Sequence, residues 1–275
     1  MALADYQTNS WVSPQGGGDF NIHDVGTSQR YAIGTRIIRA DGNEFVYAHC
    51  LTAAAPGVIV GPDISEGGEV AGVDNALIAP ASAAAVPGTS ITAGSIGSRH
   101  VQMTNAGIVA DEHAGGYLAI IAGTGSGYTY RIKGNGATDD VVSGDVVIEL
   151  YDPIKIAIDA TSDVHVMGSK YAQCLEASGA GGENNLAVGV AQGVIAANGY
   201  GWLCVKGVTG VMIDGTVAAG EAITLTDNTG ASAGWAQVAG GGSTAVVDLI
   251  DERVIGQCII PDASAGMAMC QVNFD

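Results

Sequence analysis

The sequence has very little clustered positive charge. It contains 10 Lys and Arg residues against 28 Asp and Glu residues, so its formal net charge at pH 7 is −18. Its nearest approach to a basic run is the segment Arg36–Arg39, in which two isoleucines separate the arginines. Nucleic-acid binding requires clustered Lys and Arg to neutralise phosphates, and anionic membrane surfaces attract the same residues. We therefore expect no nucleic-acid partner and no membrane partner.

Metal-binding and redox motifs are also missing. No two of the five cysteines have the Cys-x-x-Cys spacing of zinc sites and thiol–disulfide oxidoreductases; they are Cys50, Cys174, Cys204, Cys258 and Cys270. We expect buried apolar thiols in a reducing compartment. The five histidines never stand at metal-ligand spacings. A histidine metal site would therefore have to be assembled by folding from residues far apart in the sequence. The acidic pairs Asp139–Asp140 and Asp251–Glu252 sit beside turns. They are either solvated surface acids or ligands of Ca²⁺, but they lack the spacing of a calcium loop. The sequence predicts no cofactor and no metal.

The two motifs that resemble catalytic or phosphate-binding signatures fail in their surroundings. Gly230–Gly234 fits G-x-S-x-G, but no histidine follows Ser232, and a nucleophile elbow needs one downstream. The glycine-rich loop Gly123–Gly127 is followed by the β-forming run Tyr128–Lys133, whereas a phosphate loop leads into a helix N-terminus. We predict that this loop is the turn of a β-hairpin and that the protein is not an enzyme.

Targeting and membrane-spanning signals are not recognisable. The first 18 residues lack both the basic region and the continuous apolar region of a signal peptide. No apolar stretch of about 18 residues is free of glycine and polar residues, as a transmembrane helix would require. We expect a protein made and kept in a cytoplasm-like environment.

What the chain does have is glycine and short β-forming runs. It contains 42 glycines, and 47% of its residues are hydrophobic. Asp41–Gly42 separates two β-runs and predicts a hairpin with a primed turn. From Leu186 onward, short apolar runs such as GYGWLCVKG alternate with glycine-containing turns, as in sandwiches and barrels. The prediction is an all-β fold.

Isolated aromatic residues mark candidate contact sites. The polar, glycine-rich residues 1–30 carry Tyr6, Trp11 and Phe20, which predicts an extended arm that folds onto a neighbour, with a disordered tail as the alternative. Tyr200 and Trp202 flank Gly201, and this glycine allows the backbone to approach a neighbouring strand closely. These two rings either anchor a partner or pack against the opposite sheet.

Three segments resemble tailed-phage capsid decoration (head cement) proteins and related virion structural proteins. They are Gly42–Tyr47 (GNEFVY), Val188–Ala191 (VGVA) and Gly199–Trp202 (GYGW), and the resemblance extends over about two thirds of the chain. It implies a small β-barrel or β-tulip-like core domain formed by residues 31–72 together with 170–275. It also implies an inserted second β domain at 73–169, after the N-terminal arm at 1–30.

The function that this resemblance implies is structural. Such a protein binds the outer surface of a phage capsid as a homotrimer, contacts the major capsid protein and stabilises the head against the pressure of its DNA. It would be assembled in the host cytoplasm and located on the virion. The alternatives are a phage tail or fibre component, and a polysaccharide-cleaving or calcium- or ligand-binding β-protein.

Overall fold

The protein is all-β in the part of the chain that the structure, a computed structural model, describes. The structure describes residues 21–62, 94–103, 110–137, 146–159, 161–177, 186–226, 232–239, 253–262 and 266–274, and the backbone of 73–77, 104 and 145. The sixteen strands are β1 (Arg36–Ile38), β2 (Glu44–Cys50), β3 (Ile59–Pro62), β4 (Val73–Leu77), β5 (His100–Thr104), β6 (Tyr117–Ala122), β7 (Thr129–Asn135), β8 (Asp145–Leu150), β9 (Asp163–Met167), β10 (Cys174–Glu176), β11 (Gly189–Ala191), β12 (Gly199–Ile213), β13 (Ala222–Leu225), β14 (Ala236–Val238), β15 (Gly256–Ile260) and β16 (Gly266–Asn273). The predicted fold class is confirmed.

The chain divides into two compact units, and we describe each by itself. The first unit comprises Met1–Ser65 and Lys170–Asp275, and the second comprises Glu66–Ser169. The sequence had suggested a division at 72/73 and 169/170. Among the described residues, no helix has the length and apolar character needed to cross a membrane.

A closed five-stranded barrel forms one half of the first unit. Its strands pair in the circuit β2–β10–β3–β11–β12 and back to β2. All five strands or their flanks contribute to one buried cluster, including Val46, Val60, Cys174, Val188 and Leu203. This cluster fills the barrel interior, and it consists mostly of Ala, Val and Cys, whose short side chains suit the narrow lumen of a barrel with few strands.

A second closed circuit shares one strand with the barrel. It runs β12–β14–β13–β15–β16 and back to β12. Its five strands contribute to a second buried cluster, including Ile213, Ile223, Ala236, Cys258 and Cys270. The opposite face of β2, with Phe45 and Tyr47, packs into the same cluster, so β2 is buried on both faces.

The shared strand β12 is longer than the sequence suggested. Gly207 was read as a turn that ends the run GYGWLCVKG, but the strand continues through it to Ile213. Gly207 instead has a φ of +113° and lies just past a bulge at Val205, where the register with β2 shifts between Cys204 and Lys206. The Asn43 side chain holds β12 at this point, because its Oδ1 accepts a hydrogen bond from Val208 N at 2.8 Å. A glycine that looks like a turn signal here lies inside one continuous strand.

Two predicted hairpins are present, and one detail of the first is wrong. β1 and β2 pair antiparallel around Asp41–Gly42, but only Gly42 has a positive φ, +84°. A primed turn of type I′ needs positive φ at both central residues. The loop instead places Gly42 N in a hydrogen bond to Arg39 O at 3.0 Å, which gives a longer connection with one left-handed residue.

The glycine-rich loop Gly123–Gly127 joins β6 to β7, which pair antiparallel. Its three glycines all have positive φ, between +74° and +91°. A strand therefore follows this loop, and the prediction of a hairpin turn is confirmed.

The second unit is a six-stranded antiparallel sheet in the order β4-β9-β6-β7-β8-β5. One face of its strands is buried in a cluster that includes Val101, Leu118, Ile132, Ile148 and Val164. The alternation of buried and exposed residues is regular in β7 and β9, as expected for a sheet with one face in solvent.

Candidate interaction surfaces

Two of the predicted contact residues belong to an aromatic cluster on β2 and β12. The ring of Trp202 lies 5.1 Å from that of Tyr47 and 5.3 Å from that of Tyr31, measured between centroids. The ring of Tyr200 stacks on Tyr47 at 6.0 Å and lies 4.7 Å from the ring of His49. Cross-strand register brings these side chains together, since Trp202 pairs with Tyr47 and Tyr200 with His49. Such aromatic pairs add to the stability that burial provides.

The end of the predicted N-terminal arm lies against this cluster. Gly26 and Tyr200 exchange two backbone hydrogen bonds, of 3.0 Å and 2.8 Å. Ile22 is buried in the same core cluster, and Arg30 N donates to the hydroxyl of Tyr47 at 3.1 Å. Burial raises the pKa of the Tyr47 hydroxyl above its usual value. Residues 21–30 therefore fold onto their own unit, whereas Tyr6, Trp11 and Phe20 lie outside the described residues.

This packing decides the role of Trp202. Its side chain is 1% exposed, so the ring has no free surface to offer a partner. We assign Trp202 to the core, which is one of the two roles considered from the sequence. Tyr200 is partly buried and packs against that core, so it presents only part of its ring to solvent.

Gly201 allows the Ile195 side chain to approach the backbone of β12 closely, and the sequence had suggested a close approach at this glycine. A Cβ at this position would lie 2.6 Å from both Cδ1 and Cγ1 of Ile195. Ile195 is fully buried inside the barrel, and the neighbouring structure leaves it little freedom to move. The glycine therefore lets Ile195 fill the space against β12.

Four exposed apolar side chains lie together on the outer face of the second circuit. We call this area the methionine face, and it consists of Val208, Ile260, Met267 and Met269. Strand register places them side by side, because Met269 pairs with Gly210 and Ile260, and Met267 pairs with Met212. The four side chains are 39–60% exposed. Exposed apolar patches of this kind are typical of protein–protein contact sites.

The methionine face carries no charged side chain at its register positions. The residues beside its members are Gly210, Met212 and Gln271. The nearest charge along β12 is Lys206, whose Nζ lies 3.2 Å from Glu44 Oε1. On a chain with a net charge of −18, this face is a neutral area. The sequence did not reveal it, because in Met267–Cys270 both the exposed and the buried alternate residues are apolar.

The second unit presents an exposed row across four neighbouring chain segments. Tyr117 of β6 pairs with Met167 of β9 on one side and Arg131 of β7 on the other. Tyr151 follows β8, its N–H donates to Arg131 O at 3.0 Å, and its ring lies 5.1 Å from the Arg131 guanidinium. Tyr, Arg and Met are enriched at protein interfaces. This row is a second candidate contact surface.

The described residues contain no assembled catalytic or metal centre. Ser232 is followed by strand β14 rather than by a helix, so the G-x-S-x-G match is not a nucleophile elbow. Burial raises the pKa of the Cys204 and Cys270 thiols to about 12, which disfavours the nucleophilic thiolate. No three His, Cys, Asp or Glu residues in these ranges lie together as metal ligands. The acidic pairs Asp139–Asp140 and Asp251–Glu252 lie outside them.

The imidazoles with resolved partners have structural roles. Nδ1 of His23 lies 2.6 Å from Gln192 O, and Nδ1 of His49 lies 2.7 Å from Ala172 O. Each ring thereby ties two distant segments of the first unit together. Neither contact brings the imidazole to a nucleophile.

In comparisons with known proteins, no protein-family model, no curated protein and no solved structure matches the chain.

Proposed function

We propose that this protein is a structural virion component that binds the outer surface of a phage capsid and stabilises it, acting as a homotrimer through protein–protein contacts. The methionine face supports this proposal most directly. It is an exposed apolar area without charge at its register positions, on a chain that is strongly acidic. Exposed apolar patches on a sheet surface bind other proteins rather than enclosing a small molecule.

The charge distribution is consistent with this role. Two copies that each carry a net charge of −18 repel each other, and contact between them costs least where no charged side chains face each other, as at the methionine face. The acidic remainder of the surface complements a basic patch on a neighbouring shell protein. The segments GNEFVY, VGVA and GYGW, which resemble decoration proteins, lie on or beside β2, β11 and β12 and build the barrel next to this face.

The test uses one substitution on the face and one matched control. In Met269→Glu, a side chain that is 42% exposed becomes charged, while Ile156→Glu changes an apolar side chain that is 38% exposed in the second unit and outside both candidate surfaces. Neither should alter the free energy of unfolding by more than about 0.5 kcal/mol, because both side chains are at the surface. Sedimentation equilibrium gives the mass of each variant, and addition to phage heads assembled without the protein gives its binding.

We expect the wild-type protein and Ile156→Glu to sediment as trimers and to raise the temperature at which heads release DNA. Met269→Glu should lose either the trimer or the binding to heads. A Met269→Glu protein that keeps both, or a wild-type protein that is monomeric and does not bind heads, contradicts the proposal. Imaging of labelled particles separates a head position from a position on the tail or fibres.

A further inference from the structure

Four of the five cysteines form two pairs of neighbours on adjacent strands. Register places Cys258 of β15 opposite Cys270 of β16, and Cys174 of β10 beside Cys50 of β2. All four are present as thiols, and each is at most 1% exposed. The fifth, Cys204, has Val190 and Phe45 as its register partners.

The backbone around Cys258 sets the geometry of the first pair. Its N–H donates to Glu221 O at 2.9 Å, and its carbonyl accepts from Gly220 N at 2.8 Å. Both groups point away from β16, so Cys258 and Cys270 form a non-hydrogen-bonded antiparallel pair. In such pairs the Cα atoms are about 4.5 Å apart and the side chains approach most closely. This separation lies within the range of roughly 4.4–6.8 Å that disulfides span.

The side chains of this pair also lie on the same face of the sheet. Both belong to the buried core of the second circuit. The cysteines can therefore be linked without moving either strand.

The second pair lies between parallel strands. Leu51 N donates to Cys174 O at 2.8 Å, which fixes β10 beside β2 at this point. Neighbouring strands are about 4.8 Å apart, again within the disulfide range. The Cys50 and Cys174 side chains both belong to the barrel interior.

We propose that Cys258–Cys270 and Cys50–Cys174 are two disulfide sites, which hold thiols in a reducing compartment and close when the protein meets an oxidising one. In each pair a thiolate attacks a small-molecule disulfide and forms a mixed disulfide. The second thiol then displaces the small thiol. The protein pair loses two electrons and two protons, and the small-molecule disulfide is reduced to two thiols. This inference does not depend on the proposed function.

Each link would have a distinct consequence for the fold. A Cys258–Cys270 bond would join two strands of the second circuit. A Cys50–Cys174 bond would close a loop that contains the whole second unit, Glu66–Ser169. The two chain segments of the first unit would then stay joined even if the second unit unfolded.

The test is oxidation in a buffer of reduced and oxidised glutathione, followed by alkylation, mass spectrometry and peptide mapping. We expect the full chain to lose about 4 Da, two hydrogens for each disulfide, and Cys204 to be alkylated. Cys258→Ala should lose half of that mass and leave Cys270 alkylated, and Cys50→Ala should do the same for Cys174. The oxidised wild-type protein should unfold roughly 5–10 °C above the reduced one.

Burial slows access of the oxidant, so a second arm starts from the unfolded chain. The protein is refolded from denaturant in the same glutathione buffer, where all five thiols are accessible at the start. Refolding with these four thiols still reduced, stable links that involve Cys204, or only mixed disulfides with glutathione contradicts the proposal. If one link forms and the other does not, the site that fails is refuted.

Discussion

Replacement of Trp202 tests whether this ring is a core residue of the first unit. Its side chain is 1% exposed and packs on Tyr31 and Tyr47. A buried Trp side chain removes roughly 200 Å² from water, which corresponds to about 5 kcal/mol at 25 cal/mol per Å². Alanine recovers a small part of this burial. We therefore expect Trp202→Ala to lower the free energy of unfolding by about 4 kcal/mol, within the range seen for Trp and Phe truncations.

The assay follows the first unit selectively. Trp202 and Trp235 belong to that unit, and the second unit, Glu66–Ser169, contains no tryptophan, so tryptophan fluorescence in urea reports the unfolding of the first unit. Trp235 remains as the probe in the variant. Trp202→Phe should cost about 1–2 kcal/mol, and Val194→Ala, at a side chain that is 68% exposed, less than about 0.5 kcal/mol.

A Trp202→Ala protein that unfolds at the wild-type urea concentration, with an unchanged slope, would refute the reasoning. Trp202 would then have to contribute its ring to another molecule, and the 1% exposure would not describe the protein in solution. In the binding assay, the corresponding result would be a Trp202→Ala protein that is as stable as the wild type but no longer binds phage heads.

Two further predictions concern the same unit. Gly201→Ala should lower the free energy of unfolding by about 1–3 kcal/mol, because its Cβ would lie 2.6 Å from Ile195 Cδ1. In urea denaturation, Ile195→Ala should lower the free energy of unfolding less in the Gly201→Ala background than in the wild type. Equal losses in both backgrounds would contradict this contact. The pKa of the Cys204 and Cys270 thiols is raised to about 12, so the stability due to their burial is complete below the unfolded pKa of about 8.5 and is lost as pH rises toward 12. Urea titrations from pH 8 to 11 should show a decline that is smaller in the Cys204→Ala variant, and a decline of unchanged size would contradict the assignment.

The fold class was predictable from sequence because β-propensity and turn residues act locally. The runs around Asp41–Gly42 and around Gly123–Gly127 have alternating or β-branched residues next to glycines, and both form hairpins. The turn type at Asp41 was not predictable from the dipeptide alone. Loop length selects it, and the observed register pairs Ile38 with Glu44, which leaves five residues in the connection.

The closure of two circuits on one strand was not predictable in the same way. The glycines of β12 look like turns, but the strand continues through Gly207, where the distant residue Asn43 accepts a hydrogen bond from Val208 N. Strand pairing between segments far apart in sequence sets the register, and composition does not encode it.

The candidate sites depended on register as well. Cys258 and Cys270 become neighbours only when β15 and β16 pair in the observed register, and Cys50 meets Cys174 across an insertion of a whole unit. The methionine face likewise exists only once Met267 and Met269 lie beside Val208 of β12 and Ile260 of β15. The aromatic pair Tyr200 and Trp202 was visible in the sequence, but its covering by residues 21–30 was not.

Electron cryo-microscopy of phage heads assembled with and without this protein tests the proposed role most directly. We predict additional density on the outer shell only when the protein is present, grouped in threes, with the methionine face of each copy in contact with a neighbouring copy or with the shell. Identical maps with and without the protein, or density that leaves this face open to solvent in every copy, would contradict it.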